Sequence, residues 1–246
     1  MLSGQLARQA LAELVGTAIL VAGVVGSGIA ASQLSPGDVG LQLLENTAAT
    51  VGILVAIILA LGPVSGAHFN PVVTLADRFL GGVTTREVLA YLPAQVVGGC
   101  LGAVAANVMF SAPVVELSTK HRASGAHLFA EVVATFGLLL VIFGVVRSGR
   151  ASAAPFAVGA YIGAAYFFTS STSFANPAVT LARTLSDTFA GIAPASTPGF
   201  IAAQLVGGAL AVACAAALYP RLTDVADDVV LPHAHQQPAQ EKEHQS

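Results

Sequence analysis

Charge is what this chain has least of. Lys, Arg, Asp and Glu make up 9% of its 246 residues, where an ordinary soluble domain carries about 25%. With 55% hydrophobic residues and a mean hydropathy of +0.77, the shortfall marks a membrane protein before any motif is read. The net charge is −3 and no basic patch exists, so nucleic acid is not an expected partner. Cysteine is scarce as well. Cys100 and Cys214 both lie in apolar runs and read as core residues rather than a disulfide or a metal site. The sequence has no Ser-His-Asp set, no phosphate loop and no cluster of metal ligands, so neither an enzyme nor a bound metal or cofactor is expected. There is no obvious leader. Residues 11–30 are too long for a signal core and lack a clear cleavage site, which makes them a retained span.

What is present is apolar length. Crossing the hydrocarbon takes roughly 20 residues, and six segments meet or approach that: 10–30, 46–62, 88–110, 127–146, 153–169 and 199–219. Three landmarks recur in the same order. AELVGT (12–17) returns as AEVVAT (130–135), Asn-Pro-x-Val-Thr-Leu-Ala occurs at 70 and 176, and Ala-Gln-x-Val-Gly-Gly occurs around Gln95 and Gln204. The chain reads as a duplication, with a first repeat over 1–120, a second over 121–220 and a polar tail over 221–246. Each repeat holds three spans, an odd number, so the second must enter the membrane inverted, as in many transport proteins. With the N-terminus inside, seven basic residues fall on the inner side (Arg8, Arg78, Arg86, Arg147, Arg150, Arg221, Lys242) and three on the outer (Lys120, Arg122, Arg183). That bias places both termini in the cytoplasm. The tail carries His233, His235 and His244 and reads as a mobile, solvated segment rather than a metal site.

The repeated Asn-Pro has a local meaning. Asn is a strong helix N-cap and Pro is favoured at the first helical position. Short helices are therefore expected over 71–80, stopped by Gly81-Gly82, and over 177–185. Ten residues give about 15 Å, half a bilayer. Irregular backbone at that depth needs protein or a water-filled cavity to satisfy it. The expected arrangement is two re-entrant loops entering from opposite faces, with the N-termini of their half-helices meeting near the midplane. Asn70 and Asn176 would offer amide donors there. Carbonyls of 65–69 and 171–175 would form a file of acceptors, and the two helix dipoles would repel cations.

Glu13 and Glu131 sit inside spans at matching places. An intramembrane carboxylate is costly and normally has a partner. The two could anchor the loops by accepting backbone N–H groups, or serve an ion- or proton-coupled secondary transporter, the runner-up function. His68 could act as a pH gate or a pore-lining acceptor. The Gly-Gly pairs at 98–99 and 207–208 read as close helix crossings.

At SGAHFNPVVT and NPAVT the sequence resembles the aquaporin and glycerol-facilitator family, the major intrinsic proteins. AELVGT is similar to that family's first helix, and the Ala-Gln-x-x-Gly-Gly segments are similar to its third and sixth. The likeness covers roughly 8–220. It implies an all-α fold, a right-handed bundle of six tilted helices with two re-entrant half-helices, one pore per subunit and a homotetramer in the cell inner (plasma) membrane. The transported partners would be water and small uncharged solutes. The resemblance makes Asn70, Pro71, Val72, Asn176, Pro177 and Ala178 the pore motifs, with Val72 where Ala is usual. It makes Glu13, Glu131 and His68 loop anchors. It also exposes a departure: the second motif usually continues into Arg, and here that position is Val179. Arg183, four residues on, is not expected to replace it. Ungapped counting from the Asn residues places the other filter positions at Thr50, Ala164 and Ser173. All four are small, which implies a wide filter admitting glycerol-like solutes or neutral metalloids such as arsenous acid, as in bacterial relatives associated with arsenic resistance.

Overall fold

The computed structural model describes residues 4–219, so the tail assigned to 221–246 lies outside the described residues. Six helices are long and apolar enough to cross a membrane: α1 (Gly4–Leu34), α2 (Val39–Ser65), α4 (Thr85–Met109), α5 (Gly125–Arg147), α6 (Ala154–Phe168, led in by a 3-10 turn at Ala151–Ala153) and α8 (Thr197–Leu218). Two short helices interrupt them, α3 (Pro71–Leu80) and α7 (Pro177–Ala182). The order long, long, short, long therefore occurs twice, and no strand forms among the described residues.

α2 starts before the span expected from hydropathy, at Val39, where Asp38 caps it and the buried Gln42 donates to Ser35 O at 2.8 Å. Asn46 on α2 donates to Val24 O at 2.9 Å and to Ser27 Oγ at 2.8 Å on α1. Such a side chain lowers local hydropathy without leaving the protein interior.

The Gly-Gly pairs set how closely the helices approach. A Cβ on Gly98 would stand 2.2 Å from Leu14 O, and one on Gly102 2.2 Å from Ala18 O, so α4 lies directly on the backbone of α1. On α8, Gly207 makes the matching approach to Val132 O of α5, at 2.4 Å. The second glycine of each pair faces the short helix of the other half of the chain. Gly99 lies against Ala178 O and Ala182 Cβ of α7, and Gly208 against Val72 of α3. Each half thus clasps the other's half-helix. Small residues are what let membrane helices approach this closely.

Large apolar side chains cover the outside: Leu11, Phe79, Leu89, Phe129 and Phe156 are all exposed. In a membrane these face lipid rather than water.

Candidate channel site

Both short helices begin as their sequences require. Asn70 is extended (φ −152°, ψ 119°), Pro71 follows it, and its Oδ1 accepts from Val72 N at 2.9 Å. Gly81, at φ 96°, closes α3 in the left-handed conformation, which a residue with a Cβ adopts at a cost. Asn176 caps α7 in the same way, accepting from Ala178 N and Val179 N. The last turn of the second half-helix tightens into a 3-10 turn over Arg183–Leu185.

Each Asn then reaches across to the other loop. Asn70 Nδ2 donates to Ala175 O, and Asn176 Nδ2 donates to Phe69 O, both at 2.7 Å. The two helix N-termini are thereby joined by a reciprocal pair of bonds, and each amide keeps a second N–H.

The loops hold an unusual backbone. Ala67, Phe69, Thr172, Ser173 and Ala175 all have positive φ, between 47° and 60°, at a cost of about 1–3 kcal/mol each. Buried carboxylates hold them there. Glu13 accepts from His68 N (2.9 Å), Phe69 N (2.7 Å), Ser65 Oγ (2.7 Å) and Gln95 Nε2 (2.7 Å). Glu131 accepts from Phe174 N (2.9 Å), Ala175 N (2.8 Å) and Gln204 Nε2 (2.6 Å). In a trans peptide the carbonyl points opposite its N–H. With those N–H groups turned to the carboxylates, the carbonyls of Ala67, His68, Ser173 and Phe174 turn the other way, toward the cavity these residues line.

Gln95 and Gln204 complete matching networks that reading for charge passed over. Gln95 Nε2 also donates to Thr74 Oγ1, and Gln204 Nε2 to Thr180 Oγ1, each at 2.9 Å. Both threonines donate in turn to the carbonyl of their capping Asn. The Glu, Gln and Thr of the three repeated motifs thus meet in one chain of bonds in each half. Their recurrence in both halves was the available signal.

The cavity runs between the loops and the long helices. One side is apolar: Leu20, Val24, Leu54, Ile58, Leu138, Ile142, Val158 and Ile162. The other carries the loop carbonyls, Asn70 and Asn176. The volume open to water is about 60 Å³. One water needs roughly 10–15 Å³ by that measure, so the space suits a single file of a few molecules. Neither Glu13 nor Glu131 lines it.

Thr50, Ser173 and Val179 line the cavity, and the Ser173 hydroxyl has no hydrogen-bond partner among the described residues. Ala164 does not line it. It is exposed on the outer face of α6, and the residues this helix presents inward are Val158, Ile162 and Tyr166. Ungapped counting thus fell two residues short of Tyr166, whose hydroxyl lies 3.3 Å from Thr50 Oγ1. The cavity mouth does contain an aromatic ring.

Arg183 corrects a second expectation. Its backbone lies beyond α7, yet the side chain is buried and lines the cavity. The guanidinium carbon lies 3.4 Å from the centre of the Phe174 ring, and Nε donates to Ala190 O. Helical side chains tilt toward the N-terminus, so a residue one turn along reaches back to the mouth.

His68 also lines the cavity, but both ring nitrogens face the wall. Nδ1 is 3.1 Å from Thr74 Oγ1 and Nε2 is 3.3 Å from Asp77 Oδ2. Asp77 is fully buried, and the sequence reading did not single it out. No group of three or more metal-ligating residues is found among the described residues.

A family model for the major intrinsic proteins matches residues 1–175. The chain belongs to the major intrinsic protein family. It is a membrane channel and not an enzyme. Among relatives, "Aquaglyceroporin AqpS" of Rhizobium meliloti is 49% identical over 208 residues, covering 85% of this chain and 88% of that one. "Aquaporin Z" of Photorhabdus laumondii is 36% identical over 171 residues, covering 62% of this chain and 71% of that one. The X-ray structure of the aquaglyceroporin from Plasmodium falciparum has the same fold, with a TM-score of 0.62 over 89% of this chain and 99% of that one, at 22% identity. Within this major intrinsic protein, the residues that depart from the family pattern named above, Val72 and Val179, pack at the starts of the two half-helices.

Proposed function

We propose that the chain forms a passive pore for water and small uncharged solutes, wide enough at its outer filter for glycerol-like solutes and neutral metalloids such as arsenous acid. The observation that carries this reading is the two-sided cavity. A file of carbonyls and amide groups faces a continuous apolar wall. A polyol or a neutral trihydroxy acid can place its hydroxyls on one side and its remaining surface on the other. An ion cannot replace its hydration shell on the apolar side, and the paired helix N-termini oppose cations. The 49%-identical relative named as an aquaglyceroporin supports the wider solute class. At the filter, Val179 and Ser173 leave room, and Thr50, Tyr166 and Arg183 supply polar contacts.

Several further assignments belong to this reading. Residues 1–120 and 121–220 are two copies of one unit inserted in opposite senses. Glu13, Glu131 and His68 hold the loops. The charge bias puts the termini in the cytoplasm and the α4–α5 connection outside, in a bacterial plasma membrane, and the exposed apolar flanks suit a homotetramer. The coupled-transporter alternative needs a carboxylate on the pathway, whereas Glu13 and Glu131 lie behind the loops.

Stopped-flow light scattering on proteoliposomes tests the proposal. Under isotonic gradients of glycerol or arsenous acid, vesicles holding the protein should swell faster than empty ones. Fast water flux without entry of either solute would overturn the wide filter.

A further inference from the structure

A second cavity, of about 310 Å³ open to water, lies at the end of the molecule bearing the α4–α5 connection. Lys120, Arg122 and Arg183 line it, with His121 and His127, and no carboxylate does. Arg183 lines this cavity and the channel alike, so it stands between them. The three cations share one anchoring device. Lys120 Nζ donates to Phe189 O (2.8 Å), Arg183 Nε to Ala190 O, and Arg122 Nε to Gly191 O (3.0 Å). Three consecutive carbonyls thus fix three positive groups in place, and both guanidiniums lie over the Phe174 ring.

The anchoring leaves most donors unused. Among the described residues, each Arg side chain makes one hydrogen bond, through Nε, and Lys120 uses Nζ once. Arg183 is 3% exposed, so its remaining N–H groups face the cavity rather than bulk water. The carboxylates nearby are occupied elsewhere. Asp187 accepts from Thr119 and Ser118, and Glu131 is held by the loop and Gln204. Burial, with repulsion from Arg122 and Arg183, brings Lys120 down to about 8. Asp187 offsets part of the Lys120 charge, but three cations line the cavity and no carboxylate does.

We propose that this vestibule binds a small oxyanion of the phosphate class, held by Lys120, Arg122 and the buried Arg183, and that the bound anion blocks the mouth of the channel. Charge-assisted bonds from forked guanidiniums match oxyanion geometry. An anion touching Arg183 lies on the path of any solute entering the file. The blocking effect rests on the pore reading above, whereas the binding itself does not.

Inorganic phosphate is the probe. Isothermal titration calorimetry on the detergent-solubilised protein should show saturable binding. Lys120→Gln and Arg122→Gln should each weaken it about tenfold, and Lys120→Arg should retain it. In phosphatidylcholine proteoliposomes, glycerol flux in phosphate should fall below that in chloride of matched ionic strength, and Lys120→Gln should narrow the difference. Low flux in phosphatidylglycerol vesicles without phosphate, relieved by Arg122→Gln, would assign the site to a lipid phosphoryl group and support the same chemistry. Absence of saturable binding refutes the site. Binding with equal flux in phosphate and chloride refutes the blocking. Absence of any flux in chloride, with binding intact, refutes the pore reading and leaves the site standing.

Discussion

Replacing Glu131 with Gln should loosen the second re-entrant loop while leaving the six spans in place. The carboxylate receives three bonds: Phe174 N on one oxygen, Ala175 N and Gln204 Nε2 on the other. A glutamine has one acceptor oxygen. Placed toward Ala175 and Gln204, it loses the Phe174 bond and turns its NH₂ against that N–H. A hydrogen bond to a charged group contributes about 1.5–3 kcal/mol, and an unsatisfied buried donor costs about 1–3. The two surviving bonds also become neutral, at roughly half strength. The total comes to about 4–9 kcal/mol. The left-handed residues beside the site, Thr172, Ser173 and Ala175, store about 1–3 kcal/mol each. The loss is therefore enough to let the loop relax and the carbonyls of Ser173 and Phe174 leave the file. Circular dichroism should still show full helix content, with an earlier thermal transition, and glycerol flux in proteoliposomes should fall at least tenfold. A variant with unchanged melting and unchanged flux would refute the anchoring argument. Flux lost only when a pH gradient drives transport would instead favour the coupled transporter.

Three other outcomes follow from the packing. Val179→Arg adds a long cation at the cavity wall and should depress glycerol entry more than water entry, measured by paired isotonic and hypertonic stopped-flow runs. Tyr166→Ala should speed the entry of solutes bulkier than glycerol, while Ala164→Phe should leave the selectivity series unchanged because residue 164 faces outward. Gly98→Ala drives a Cβ to 2.2 Å from Leu14 O and should destabilise by about 1–3 kcal/mol. Gly52→Ala meets nothing within 4 Å and should be neutral or stabilising by about 0.5–1 kcal/mol, both read from thermal melts in detergent.

The six spans, the half-helices and their caps could be read from the chain because their causes are local. A run of apolar residues long enough to cross, an Asn-Pro start and a Gly stop need no partner to be recognised. The duplication made the reading stronger, since Glu13 with Glu131 and Asn70 with Asn176 each recur at matching places. Gln95, Gln204, Thr74 and Thr180 recur in the same way. They were legible as landmarks of the repeat but their bonding was not, because an uncharged side chain in a span raises no question until its partners are known.

Side-chain direction and the contacts between halves were decided by the tertiary structure. A helix turns about 100° per residue, so a two-residue slip in counting moves a side chain to the opposite face. That is the difference between Ala164 outside and Tyr166 in the cavity. Arg183 reaches the mouth from a turn beyond it because helical side chains lean toward the N-terminus. The bonds from Asn70 to Ala175 and from Asn176 to Phe69, and the facing of Gly99 and Gly208 onto the opposite half-helices, join residues about a hundred positions apart. The sequence by itself determined the elements and their polarity, because those follow from neighbours along the chain. Which side chains share the pore, and which cations gather above it, depend on register between separate helices, which only the packed structure sets.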